Sequence, residues 1–207
     1  AGDDILTGGA GADQFTVSGG RDTVTGNAGV DNIIITAGTG STNFTDFDFG
    51  GGTSNDNITL TLSATVADAA GNAGAVSTGV NGGSVAVTTI AADTAIGAAA
   101  TEEVFIINTG ADNVTASLSM TDATIEGLIA AQLADGAADI SVNLATGEGY
   151  VGLILNDLDG DGTADSYLMY EHIASATGAG ATEAAEINLV GVFNGLDAIN
   201  AAAGDFI

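Results

Sequence analysis

Residues 8–16 read Gly8-Gly9-Ala10-Gly11-Ala12-Asp13-Gln14-Phe15-Thr16, a full copy of the pattern G-G-x-G-x-D-x-U-x, with Phe15 as the large apolar U. The pattern continues on both sides. Residues 1–7 keep Gly2, Asp4 and Leu6 in phase, residues 17–25 keep Gly20, Asp22 and Val24, and residues 26–34 keep Gly26, Gly29, Asp31 and Ile33. Aspartate thus falls at 4, 13, 22 and 31, and an apolar residue at 6, 15, 24 and 33. A flexible glycine-rich loop has no reason to hold this phase. Each unit reads as a glycine turn followed by a very short strand, and two units close one coil. Coils stacked as parallel strands ~4.8 Å apart place Asp4 over Asp22 and Asp13 over Asp31.

Carboxylates stacked in this way repel unless a cation lies between them. Calcium, a hard ion, takes roughly 6–8 oxygens from carboxylates and backbone carbonyls. Glycine supplies the φ > 0 turns that aim carbonyls inward. The candidate ligand set is therefore Gly2, Asp4, Gly9, Gly11, Asp13, Gly20, Asp22, Gly29 and Asp31, with Leu6, Phe15, Val24 and Ile33 forming a small core between two sheets. This register resembles the RTX (repeats-in-toxin) family of calcium-dependent secreted proteins. The resemblance implies a mostly all-β chain: a calcium-binding parallel β-roll followed by a β-rich C-terminal region with one short helix.

Residues 35–43 read as a decayed fifth repeat, with Gly38 at the turn, Gly40 in place of Asp and Thr42 in place of the apolar residue. Phe47 and Phe49, then Ile58, Leu60 and Leu62, alternate with polar residues as half-buried strands do. The glycines 50–52 between them predict a hairpin that closes the roll, giving a first domain over 1–62. Asp46, Asp48 and Asp56 either bind a last calcium or are solvated side chains of that cap.

Residues 63–207 are expected to form a β-rich assembly and secretion domain. Strands are predicted at 84–90 and at Val104–Ile107, with a turn and strand over 109–115. A helix capped by Thr121 or Asp122 runs through Ile125, Leu128, Ile129 and Leu133, with Gly136 past its end. Residues 140–144 and 149–155 read as paired strands joined at 145–147. The run Asp157-Leu158-Asp159-Gly160-Asp161-Gly162-Thr163-Ala164-Asp165 matches the start of an EF-hand loop, but Leu168 replaces the bidentate Glu. It is not an EF-hand. It is either a calcium loop using Asp157, Asp159, Asp161, the Thr163 carbonyl and Asp165, or a plain tight turn between strands ending at Leu155 and starting at Tyr167. A similar hairpin occurs near the C-terminus of many RTX exoproteins. The strand 187–193, the short helix or turn 196–203 and the ending Asp205-Phe206-Ile207 are similar to the C-termini of type I secretion substrates.

Composition narrows the function. Twenty-seven acidic residues face a single basic one, Arg21, for a formal charge of −26. Nucleic acid and anionic membranes both need a basic patch, so neither is a partner. There is no cysteine, hence no disulfide or thiol chemistry. No apolar run approaches the ~18 residues of a membrane helix. His172, the lone histidine, falls near a strand end and reads as structural. H-E-x-x-H is absent, and no acidic pair has the surroundings that raise a carboxyl pKa, so an enzyme is not expected. The chain begins inside a repeat, without an initiator Met or signal peptide, so more chain is expected upstream. The expected function is a secreted calcium-dependent structural protein of the cell surface, a surface-layer or filament subunit. It would assemble with copies of itself and leave the cell through a type I apparatus. The alternative is the calcium-binding folding and secretion module of an exported enzyme or adhesin.

Overall fold

The computed structural model describes residues 2–50, 55–61, 67–68, 87–91, 96–97, 104–108, 113–134, 142–144, 148–173, 178–180, 184–196, 200 and 205–206. The described residues are largely β, with one α-helix among them. Six short strands come first: β1 (Ile5–Thr7), β2 (Gln14–Val17), β3 (Asp22–Thr25), β4 (Asn32–Thr36), β5 (Thr42–Phe44) and β6 (Asn57–Thr61). Odd-numbered strands pair in parallel in one sheet and even-numbered strands in another, so the chain alternates between two ladders. Leu6 pairs with Val24, and Phe15 with Ile33, the eighteen-residue register that the repeat predicts. Phe15, Val24, Ile33, Ile35, Phe44, Ile58 and Leu60 are buried in one core, with Leu6 packed against it.

Two expectations about residues 35–62 are corrected. The fifth repeat is offset by two residues. Thr42 pairs with Asp22, and Phe44 with Val24, so Thr42 holds the aspartate position and Phe44 the apolar one. Gly40 is the turn glycine, not the residue in place of Asp: at φ +134° it lies against Gly20, and a Cβ there would stand 2.1 Å from the Gly20 carbonyl oxygen. The offset puts Phe44 in the core while keeping glycine on glycine. The closing hairpin does not form either. β6 joins β4 in parallel, with Ile33 opposite Ile58. Phe47 and Phe49 belong to no strand and instead cluster with Phe193, their ring centroids 5.2 and 4.8 Å from its own. Aromatic packing outweighs their strand-like alternation. Gly51, Gly52 and Leu62 lie outside the described residues.

The remaining strands are β7 (Ala67–Asp68), β8 (Val87–Ala91), β9 (Ile96–Gly97), β10 (Val104–Asn108), β11 (Val114–Thr115), β12 (Val142–Leu144), β13 (Glu148–Asp157), β14 (Ser166–Ile173), β15 (Gly178–Gly180) and β16 (Ile187–Asn194); the helix α1 spans Asp122–Ala134. β5 pairs in parallel with β16, so one ten-stranded sheet runs β1-β3-β5-β16-β14-β13-β10-β8, with β7 and β11 on β13. Strands from before and after the expected boundary, β5 and β16, thus share one sheet. β13 and β14 form the predicted antiparallel pair, with Leu155 opposite Tyr167. β12 does not pair with β13 as expected. Both edges of β13 are taken by β14, β10, β7 and β11, so β12 joins β15 and β9 in a separate sheet. Ile125, Ile129 and Leu133 of α1 are buried against Phe105, Ile107, Tyr150, Ile154, Leu168 and Tyr170. The hydroxyl of Thr121 accepts the Thr124 N–H at 3.3 Å and caps the helix. Residues 84–86, 109–112, Gly136 and most of 196–203 lie outside the described residues. Among the described residues no helix is long and apolar enough to cross a membrane.

Candidate metal centre

Stacking creates a specific polar pattern inside the two ladders. The Asp4 N–H donates to Asp22 Oδ1 (3.0 Å), and the Asp13 N–H to Asp31 Oδ1 (2.9 Å). The next level repeats it: the Asp31 N–H donates to Asp56 Oδ1 (2.9 Å) and the Asp48 N–H to Asp56 Oδ2 (3.0 Å). Asp13, Asp31 and Asp56 therefore form one continuous column. Periodicity alone missed this, because a longer connection sets Asp56 twenty-five residues after Asp31. Asp46 spans the turn beside the column, accepting the Gly26 and Asn27 N–H groups at 2.9 Å each. The Asp48 carboxylate is exposed, and only its backbone joins the column.

The glycines make this arrangement sterically possible. Gly20 and Gly29 lie at φ +105° and +152°, and a Cβ on either would stand 2.4 or 2.2 Å from the carbonyl oxygen of Gly2 or Gly11 on the preceding coil. Gly2, Gly9 and Gly11 instead face open space. At Gly26 a Cβ would lie 2.1 Å from Asp31 Oδ2, and at Gly8 one would lie 2.6 Å from Asp13 Oδ2. The carboxylates fill the room that missing side chains leave.

Charge in the two ladders is poorly compensated. Asp31 is fully buried, Asp22 is 3% exposed and Asp56 is 6% exposed. Asp31 Oδ2 has no hydrogen-bond partner. Burying a charge without a counterion costs several kcal/mol, and the one basic side chain, Arg21, is committed to Asp122. Burial pushes the Asp56 carboxyl above its ordinary range; the Asp48 and Asp31 amides oppose that, and the Asp31 and Asp46 charges add to it. The expectation that no acidic pair has such surroundings is thus corrected at Asp56, where desolvation outweighs two amide hydrogen bonds; burial likewise raises the Glu126 carboxyl. The oxygens are hard, net negative and one of them orphaned, as a cation site requires, but among the described residues only Asp157, Asp159 and Asp161 converge as a trio within 4.8 Å.

The second candidate is the β13–β14 turn. Asp157, Asp159 and Asp161 bring carboxylate oxygens within 4.8 Å of one another, and the three could hold a metal ion. Asp157 is buried; Asp159 and Asp161 are exposed. The loop is also held by its own amides. Asp157 accepts from Gly160 (2.7 Å), Asp161 (3.2 Å) and Gly162 (2.8 Å), Asp159 from Asp161 (3.1 Å) and Asp161 from Thr163 (2.8 Å). Asp165 stands outside the trio, with Oδ1 taken by the Leu158 N–H (2.9 Å). The run is a tight turn whose three carboxylates could also hold a metal ion.

Among the other described residues, His172, Tyr150 and Tyr170 are buried on the α1 side of the sheet. His172 is 1% exposed, stacks on Tyr150 with centroids 5.1 Å apart, and lies 3.7 Å from Glu186. Burial lowers its pKa to about 4, with Glu186 pulling the other way. Burial also raises the Tyr150 and Tyr170 hydroxyls, which lie 3.2 Å apart. No protein-family model, curated protein or solved structure matches this chain.

Proposed function

We propose that this chain is a calcium-dependent extracellular structural protein of the RTX kind, a surface-layer or filament subunit that leaves the cell by type I secretion and assembles with copies of itself. The observation that carries the reading is the buried, partnerless Asp31 Oδ2 in a column of aspartates, in a chain whose one Lys or Arg, Arg21, is paired with Asp122. In this reading the two ladders form a calcium-binding β-roll. Asp4 with Asp22, and Asp13, Asp31 and Asp56 with Asp46 beside them, hold calcium together with the turn carbonyls. Asp157, Asp159 and Asp161 hold a further ion. The role is mechanical rather than catalytic: where calcium is scarce the column repels itself, and where calcium is plentiful binding energy becomes folding energy.

Calorimetric titration of the whole chain with calcium and then magnesium tests the binding. Calcium should bind with release of protons and gain of strand signal, and magnesium far more weakly, because it demands tighter octahedral geometry and sheds water reluctantly. Absence of calcium binding at millimolar concentration rejects the reading. Electron microscopy in calcium tests the assembly. Ordered sheets or filaments support a structural subunit, and a dispersed monomer points instead to the folding module of an exported protein.

A further inference from the structure

Arg21 is the only Lys or Arg in the chain, and it ties the aspartate ladder to the helix layer. It directly precedes Asp22. Its backbone N–H donates to Asp3 Oδ1 (2.8 Å) on the preceding coil. Its side chain leaves the stack altogether. Nη1 donates to the carbonyls of Leu118 (2.8 Å) and Met120 (2.6 Å), Nε donates to Asp122 Oδ1 (3.0 Å) and Ser41 Oγ (3.3 Å), and Nη2 pairs with the same Asp122 oxygen. Asp122 is the first residue of α1. A second path runs in parallel. The Asp4 N–H meets Asp22 Oδ1, the Asp22 N–H meets the Ser41 carbonyl (3.1 Å), and the Ser41 hydroxyl meets Asp122 Oδ1 (2.9 Å). The second path exists only while the turns at 20–22 and 40–42 are stacked.

We propose that Arg21 couples cation occupancy at the Asp4/Asp22 level to the order of the first turn of α1. The inference rests on the calcium reading above. Without the cation, repulsion at Asp22 loosens this level, and Arg21 and Ser41 lose their fixed positions. The Leu118 and Met120 carbonyls and the Asp122 carboxylate then return to water. The rest of α1 stays docked through Ile125, Ile129 and Leu133, which are buried against the sheet. The device is a mechanical link: a metal-dependent element sets the start of a helix that a metal-independent core already holds.

Amide exchange followed by NMR on the whole chain, in calcium and in chelator, tests this. Asn32 N–H, bonded to the Asp13 carbonyl, reports on the stack. Thr124 and Ile125 N–H, both bonded to the Thr121 carbonyl, report on the first turn. In the parent, calcium should slow exchange at all three. In Arg21→Met, Asn32 should still respond, while the calcium effect at Thr124 and Ile125 shrinks by about tenfold, an equilibrium factor within the range of a charged hydrogen bond. Should Arg21→Met also silence Asn32, Asp122→Ala decides, since it cuts the link from the helix side. A first turn that ignores calcium while Asn32 responds overturns the inference and leaves the calcium reading standing. A first turn that keeps its full response in both variants overturns it too. No response anywhere in the parent overturns both.

Discussion

In residues 2–61 the strands are three to five residues long, and Asp22, Asp31 and Asp56 are buried among them. In β13, β14 and β16 the strands run eight to ten residues, and α1 closes one face of their sheet with Ile125, Ile129 and Leu133. The two regions share a sheet yet rest on different physics. Long strands and a helix bury enough apolar surface to offset chain entropy unaided. Strands of three to five residues bury at most two side chains each, and their stacked aspartates add a cost. The first region should answer to the solution, and the second to the shape of its side chains.

The largest effect expected is therefore calcium removal. At a hundredfold excess over Kd each site adds ~2.7 kcal/mol, so two or three sites rival the stability of a small domain. All three tyrosines lie in β13 and β14 and the chain has no tryptophan; Tyr150 and Tyr170 sit in the α1-side core and Tyr167 in the core shared with the short strands, so near-ultraviolet dichroism from tyrosine reports mainly the second region. Chelator should erase amide protection in β2–β6 and leave much of the tyrosine signal. Loss of both signals together, at one chelator concentration, would break the comparison.

Leu168→Ala should show the converse. Leu168 is fully buried in the α1-side core, and the cavity should cost ~2–5 kcal/mol in urea denaturation, by an amount independent of calcium. A smaller effect separates two glycines of the stack. Gly29→Ala puts a Cβ 2.2 Å from the Gly11 carbonyl at φ +152° and should cost ~1–3 kcal/mol, read as a higher calcium midpoint for strand formation. Gly9→Ala meets nothing within 4 Å and should stay within ~0.5 kcal/mol of the parent. Equal midpoints for the two would remove the stacked turns from the account.

The regions should also answer acid with opposite signs. The folded His172 pKa, about 4, lies below the unfolded value of ~6.5. Its contribution is thus complete above pH ~6.5 and is lost toward pH ~4, at up to ~1.4 kcal/mol per pH unit. The Asp56 carboxyl is raised in the fold, so without calcium its contribution is present in acid and lost as pH rises through the folded value. In chelator, mild acid should weaken the tyrosine-reported transition and strengthen protection at Asp31 and Asn57. His172→Leu should flatten the first trend and leave the second unchanged.

Local periodicity carried the first region well. Leu6 with Val24 and Phe15 with Ile33 could be read from the spacing, because neighbours in this stack sit a fixed number of residues apart. The reading failed where spacing changed: at the two-residue offset before Phe44, and at the long connection that returns Asp56 to the column. In the second region the existence of β10, α1, β13, β14 and β16 was legible from apolar patterning, and their partners mostly were not. An apolar run states that a strand is buried and is silent about its neighbour. Nothing in Ile187–Asn194 says that it will lie beside Thr42–Phe44. The Asp157 loop was legible as a cluster, although Asp165 turned to the Leu158 amide instead of joining it.

One contact sets the order in which the molecule can be completed. Phe206 forms a parallel bridge with Ile58 and lies in the same core as Phe15 and Ile33, while the Gly50 N–H reaches Asp205 Oδ2 at 3.3 Å. β16 likewise borders β5. A ribosome makes residues 2–61 first, but what seals them is made long afterwards. While synthesis continues, β5 lacks its β16 neighbour and the core lacks Phe193 and Phe206. The early half of this chain must wait for its late half.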